Sequence, residues 1–216
     1  MAYYGNLRRR KYLIDILPTW LLTYLYPVTR HFPRDSYVLD VGSGSGLYSY
    51  ICRTKFGCEV DSLEPYMEDA FDNNTIKESI LHYKSKVKYD RVFLIDVLEH
   101  FELDMAKEVI RCCQNQLKNE GQILIKVPNA GSSLGLQSHF GDVTHRMGYS
   151  DVGLEQLVNQ AGLKVVEKCY IGANRTPMRV AAGILATPYS LFKGLYLYSK
   201  GISFKSESVG LFFSIK

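Results

Sequence analysis

An apolar run that ends on an acidic residue and then meets three glycines at alternate positions constrains this 216-residue chain more than any other stretch. It reads Val38-Leu39-Asp40-Val41-Gly42-Ser43-Gly44-Ser45-Gly46, and Leu47-Tyr48-Ser49-Tyr50-Ile51 then opens a helical pattern. Glycine has no Cβ, so it takes positive φ and lets another group come close to the backbone. Strand, glycine turn and helix in this order place a backbone-lined cradle at the carboxyl end of a parallel strand. The spacing argues against two phosphate-holding versions of that cradle. A Gly-x-Gly-x-x-Gly turn counted from Gly42 asks for glycine where Leu47 stands, and counted from Gly44 it asks for glycine where Ser49 stands. A P-loop ends in Gly-Lys-Ser/Thr, and no lysine follows the glycines before Lys55.

Two further strings fall in register with the first. Val60-Asp61-Ser62-Leu63 is a second apolar stretch, closed by Glu64-Pro65. A carboxylate at the end of a second strand can accept hydrogen bonds from two ribose hydroxyls. Glu64 suits that place better than Asp61, because Pro65 behind it is suited to a first helical position. Arg91-Val92-Phe93-Leu94-Ile95 is an almost unbroken apolar strand, as expected where both faces are covered, and it runs into Asp96-Val97-Leu98-Glu99-His100.

Asp-x-Gly-x-Gly-x-Gly after an apolar strand resembles motif I of class I S-adenosylmethionine (SAM) methyltransferases. Leu63-Glu64-Pro65 is similar to that family's next motif, and Asp96-Val97-Leu98-Glu99-His100 resembles the fourth-strand motif of the ubiquinone-biosynthesis type. Leu117-Lys118-Asn119-Glu120-Gly121 followed by Gln122–Val127 looks like a helix end, a turn and a fifth strand, with Gly121 suited to a helix cap. The resemblance implies an α/β, Rossmann-like, doubly wound seven-stranded sheet, mostly parallel with an antiparallel last strand. It implies SAM as cofactor, held by Asp40, Gly42, Ser43, Gly44, Gly46, Glu64, Asp96 and Val97. Ser79 and Ile80 are the candidates for adenine contact. Glu99 and His100 are expected on the structural or cofactor side.

The expected strands are 36–41, 58–63, 91–96, 122–127, 163–170 and 209–215, with helix over 46–56 and 151–162. Ser150 is a suitable N-cap for the latter and Gly162 a suitable stop. A third strand is poorly marked, with only 75–81 available. The length suits one domain, 1–216, with an N-terminal helical segment over 1–35 and an aromatic, basic insertion over 172–206.

The acceptor is expected to be read by the long loop after the fifth strand, where His139, Asp142, His145 and Arg146 crowd together. Methyl transfer to a hydroxyl needs aligned reactants and removal of a proton. His145 is the first candidate base, with Asp142 orienting it, His139 in reserve and Arg146 available for an anionic substituent. The alternative for each is a turn or a helix cap. Gly141-Asp142-Val143-Thr144-His145, with Tyr149-Ser150 beyond it, resembles a branch encoded with bacterial surface-polysaccharide pathways, O-antigen and capsule among them. That resemblance implies a sugar or lipid-linked glycan acceptor. A quinone-like aromatic acceptor and a non-catalytic SAM-binding subunit are the alternatives.

The formal net charge of +4 is unevenly spread, with basic segments at both ends and an acidic centre. This suits an anionic substrate or peripheral contact at the inner face of a membrane. Tyr12–Tyr26 is interrupted by Asp15 and Pro18 and lacks a small-residue cleavage site, so neither a signal peptide nor a span is expected and the location is expected to be cytoplasmic. Five cysteines without a Cys-x-x-Cys pair argue against a disulfide framework or a zinc site, and no metal site is expected. The basic residues lie outside any evident groove, and nucleic acid is not an expected partner.

Overall fold

The structure, a computed structural model, describes residues 14–19, 26–66, 75–171 and 210–216. Seven strands form one sheet: β1 Tyr37–Val41, β2 Glu59–Leu63, β3 Thr75–Ile76, β4 Tyr89–Ile95, β5 Leu117–Pro128, β6 Val165–Ile171 and β7 Gly210–Ile215. Their order is β3-β2-β1-β4-β5-β7-β6. The first five run parallel, and β7 lies antiparallel to both β5 and β6. The expected sheet is therefore the observed one. Among the described residues, the α-helices after β1 are α1 Leu47–Phe56, α2 Leu103–Gln114, α3 Ser133–Phe140 and α4 Asp151–Gln160.

The apolar run in β4 is explained by its neighbours. Val92 and Leu94 point into one core with Leu39, Ile123, Ile125, Val109, Ile110, Leu154 and Leu157. Phe93 and Ile95 point the other way, into a second core with Val38, Ile51, Phe56, Leu124 and Phe212. Side chains alternate along a strand, so a strand buried on both faces cannot show a polar period. Phe32 stacks on Phe93 with ring centroids 4.7 Å apart, and Ile14 is also buried in this second core.

Helix α4 is capped as its sequence implies: Ser150 Oγ accepts from Gly153 N at 3.1 Å. Gly162 turns the chain away with φ +89. Gly121 departs from expectation. Helix α2 already ends at Gln114, and Gly121 lies inside β5. A Cβ there would stand 2.9 Å from Leu117 Cδ2, so close packing rather than helix capping calls for glycine. The third strand contracts to two residues, pairing Ser62 with Thr75 and Leu63 with Ile76 at the sheet edge. The insertion at 172–206 and most of the N-terminal segment lie outside the described residues. Among the described residues, no helix is long and apolar enough to cross a membrane.

Candidate cofactor and acceptor site

From β1 the chain builds outward to β2 and β3, then crosses to the other side of β1 to place β4. This switch in direction opens a crevice at the carboxyl ends of β1 and β4, where ligands of open α/β sheets bind. A cavity of about 660 Å³ lies there. Gly42, Gly44, Glu64, Ser79, Ile80, Asp96 and Val97 line one part, and His100, Phe101, Val143, Thr144 and Arg146 another.

The glycine turn is a backbone device. Gly42, Gly44 and Gly46 have φ of +66, +53 and +77. Gly42 N and Ser43 N donate to Leu63 O at 2.8 and 3.0 Å, which ties the turn to the end of β2. A Cβ on Gly42 would stand 2.7 Å from Val97 Cγ2, so the turn and the end of β4 meet only through glycine. Glu64 is buried, and its two oxygens accept from Gly44 N at 2.9 Å and Tyr66 N at 3.0 Å. A carboxylate has about four lone-pair sites, so capacity remains for further donors.

Three residues expected around the cofactor sit behind the cavity surface. Asp40 is buried and accepts from Ser49 Oγ at 2.5 Å, and Ser49 accepts in turn from Ser62 Oγ at 2.8 Å. This network anchors the first turns of α1 to β1 and β2. Burial pushes the Asp40 carboxyl up to about 6, against the pull of Ser49 and the Arg53 charge. Gly46 caps α1, and Ser43 Oγ is buried with no hydrogen-bond partner among the described residues. Asp96 does reach the cavity. Its φ of +55 is an uncommon conformation for a residue with a Cβ, and Lys126 from β5 holds its carboxylate.

In the second part of the wall, the histidine that lines the cavity is His100. His145 stands behind it, edge-on at 4.7 Å, with its Nδ1 2.8 Å from His139 O. His139 is buried and stacks on His145 at 5.1 Å. Asp142 Oδ2 lies 3.9 Å from His145 Nε2, and Asp142 Oδ1 accepts from Thr144 Oγ1 at 2.6 Å. His145, Asp142 and His139 are thus brought together as one cluster, but none of the three is part of the cavity wall. Arg146 is part of it, as are Thr144 and Val143. Glu99, just before His100, is buried, and burial with Asp96 beside it raises its carboxyl well above the usual range. Sequence reasoning missed the forward position of His100, because a three-residue 3-10 turn at Leu98–His100 carries it out of the β4 line. Tyr66, Glu78 and Phe101 carried no motif that marked them as lining residues.

The sequence profile of a family described as "Methyltransferase domain" matches residues 8–168. No curated protein sequence matches the chain. Among solved structures, a SAM-dependent methyltransferase from Archaeoglobus fulgidus is 17% identical with a TM-score of 0.66, over 91% of this chain and 92% of that one. A 1,6-didemethyltoxoflavin N1-methyltransferase from Burkholderia thailandensis, bound to S-adenosylhomocysteine, is 14% identical with a TM-score of 0.57, over 89% and 75%. An O-methyltransferase from neocarzinostatin biosynthesis, in complex with S-adenosyl-L-homocysteine and 1,4-dihydroxy-2-naphthoic acid, is 16% identical with a TM-score of 0.56, over 83% and 48%. These likenesses carry the fold, and the profile, which spans most of the chain, carries the family: the protein belongs to the methyltransferase domain family.

Proposed function

We propose that this methyltransferase uses SAM and transfers its methyl group to a hydroxyl of a sugar or lipid-linked glycan of surface-polysaccharide biosynthesis. The observation that carries the reading is the cavity itself, which joins the glycine turn and Glu64 to a polar wall of His100, Thr144 and Arg146. The residues fit the cofactor: Gly42 leaves room against Val97, Gly44 presents its N–H to Glu64, and Glu64 keeps acceptor capacity for ribose hydroxyls. Ser79, Ile80, Asp96 and Val97 line the same cavity, which supports Ser79 and Ile80 as the adenine contacts and Asp96 and Val97 as further cofactor contacts. When bound, SAM supplies an electrophilic methyl group on a sulfonium, with no phosphate to be held, which agrees with a turn that lacks lysine.

The chain's own part is alignment and proton handling. His100 meets the acceptor, and Thr144 links its Nδ1 to Asp142 over contacts of 3.0 and 2.6 Å. His145, the expected base, supports the ring from behind, within reach of Asp142. Arg146 is placed for an anionic substituent such as a sugar acid or phosphate. The basic terminal segments suit peripheral contact with an anionic membrane that presents such an acceptor.

A quinone-like aromatic acceptor is favoured by a different observation. Phe101, Val143 and Tyr66 line the same cavity, and Val143 and Tyr66 are 97% and 91% exposed. Methyl-labelled SAM incubated with the protein and envelope extract should label glycan, whereas a panel of dihydroxy aromatics should remain poor acceptors. Label in the aromatics alone would move the function to the second reading. Label only in protein or RNA would sink both.

A further inference from the structure

We propose that Glu99, His100 and His145 bind a divalent transition-metal cation of the zinc type on the acceptor side of the cavity. The ligand atoms they offer all lie within 4.8 Å of one another. Two ligands on one tetrahedral zinc stand about 3.4 Å apart, given bonds of about 2.0–2.1 Å. The three groups therefore stand within about 1.4 Å of the spacing that one ion requires. Two imidazoles and one carboxylate are a donor set that zinc accepts, with a further position left open.

Glu99 is the group that asks for an explanation. It is 1% exposed, and neither carboxylate oxygen has a hydrogen-bond partner among the described residues. Buried carboxylates are normally paired, hydrogen-bonded or metal-bound, because desolvation without compensation is costly. Asp96 beside it is a like charge within hydrogen-bonding reach that only a protonated Glu99 can use, and the Lys126 amine is engaged by Asp96, so the ionised carboxylate meets no side-chain donor.

The tautomers of both rings follow from their neighbours. Thr144 Oγ1 has one proton and donates it to Asp142 Oδ1. It must then accept from His100 Nδ1–H, which leaves the Nε2 lone pair of His100 uncommitted. His145 Nδ1 faces a carbonyl, His139 O, and a carbonyl only accepts. His145 Nδ1 therefore carries the hydrogen and Nε2 the lone pair. Metal-binding histidines are held in the same way, with the outer N–H on a carbonyl or a polar partner. The backbone secures the arrangement: Glu99 O accepts from Arg146 N at 2.7 Å and Met147 N at 3.1 Å. The turn that carries Glu99 and His100 is thereby fastened to the loop that carries His145.

His100 is the one of the three that lines the cavity, so an open position on its side of the ion would face the acceptor. Resting on the methyltransferase reading above, this defines the acceptor as a hydroxyl able to ligate a cation. With the Nε2 lone pairs of His100 and His145 committed to the ion, neither ring is the base in this form of the reaction: ligation lowers the hydroxyl pKa and its proton passes to water. The oxygen–carbon bond then forms as the carbon–sulfur bond of the sulfonium breaks, and the electron pair leaves on a neutral thioether. A second cluster, His31, Glu167 and Cys169, also offers three ligand atoms. There the Cys169 thiol already donates to Glu167 Oε1 at 3.2 Å, and the site serves as a control.

The test is equilibrium dialysis of chelator-stripped full-length protein against Zn²⁺, with Co²⁺ absorption as a second readout. Wild type should take up Zn²⁺ in stoichiometric amount. Glu99→Gln and His145→Gln should each weaken uptake roughly 10–100-fold, and Cys169→Ser should leave it unchanged. Either of the first two variants suffices if the other does not fold. SAM affinity, measured on the same samples, should persist in the variants. Intact SAM binding without Zn²⁺ uptake by wild type overturns this proposal and leaves the methyltransferase reading standing. Uptake unaltered by Glu99→Gln or His145→Gln, or removed by Cys169→Ser, also overturns it.

Discussion

Glu64 Oε2 accepts a hydrogen bond from Gly44 N at 2.9 Å, so one carboxylate at the end of β2 holds the glycine turn that follows β1. The same carboxylate is the proposed ribose ligand, and shape and binding are thereby linked. Glu64→Gln removes the charge but keeps the size. Hydrogen bonds to a charged group contribute about 1.5–3 kcal/mol. SAM affinity by calorimetry should fall roughly 10–100-fold, with a small change in melting temperature.

Gly42→Ala strains the fold twice, through a φ of +66 and through a Cβ 2.7 Å from Val97 Cγ2. The left-handed conformation alone costs a residue with a Cβ about 1–2 kcal/mol. Urea unfolding should show Gly42→Ala destabilised by more than this. Adding Val97→Ala should recover the clash and leave the φ cost, a non-additivity that a double-mutant cycle reads directly.

Asp40 predicts a pH dependence with a defined sign. The folded carboxyl holds its proton up to about 6, against an ordinary 3.8. The native state therefore binds more protons between those values, and stability falls as pH rises through the window. Wild-type stability minus that of Asp40→Asn should drop by roughly 2–3 kcal/mol from about pH 4 to about pH 6. A difference that is flat with pH would show the carboxyl to be ordinary.

His100→Ala should lower kcat by roughly 10²–10⁴-fold while leaving SAM affinity intact, because His100 lies on the part of the cavity wall proposed for the acceptor. His145→Ala should also lower turnover with SAM binding retained. Turnover unchanged in His145→Ala would remove His145 from the chemistry.

The cofactor half was legible in the sequence because its constraints are local. Positive φ at Gly42, Gly44 and Gly46 demands glycine, and the doubly buried β4 demands an unbroken apolar run. Glu64 follows the same logic, one position past the end of a strand. The half proposed for the acceptor was only partly legible, because it depends on how separate segments meet. His139, Asp142 and His145 are clustered in the sequence and in space, yet the ring that reaches the cavity is His100, from another segment. Asp40 shows the converse. Its motif is plain, but its carboxylate turns under the cradle to Ser49 rather than into the cavity. Gly121 was misread because a glycine after a polar run signals a helix stop as readily as a tight place within a strand.

The central claim is that SAM occupies the cavity between the glycine turn and His100. A crystal structure of the complex with S-adenosylhomocysteine tests it most directly. The ribose hydroxyls should lie on the Glu64 carboxylate, with the adenine beside Ser79 and Ile80 and the sulfur directed toward His100. A ligand bound elsewhere, or bound here with Glu64 beyond hydrogen-bond reach of the ribose, would contradict the account.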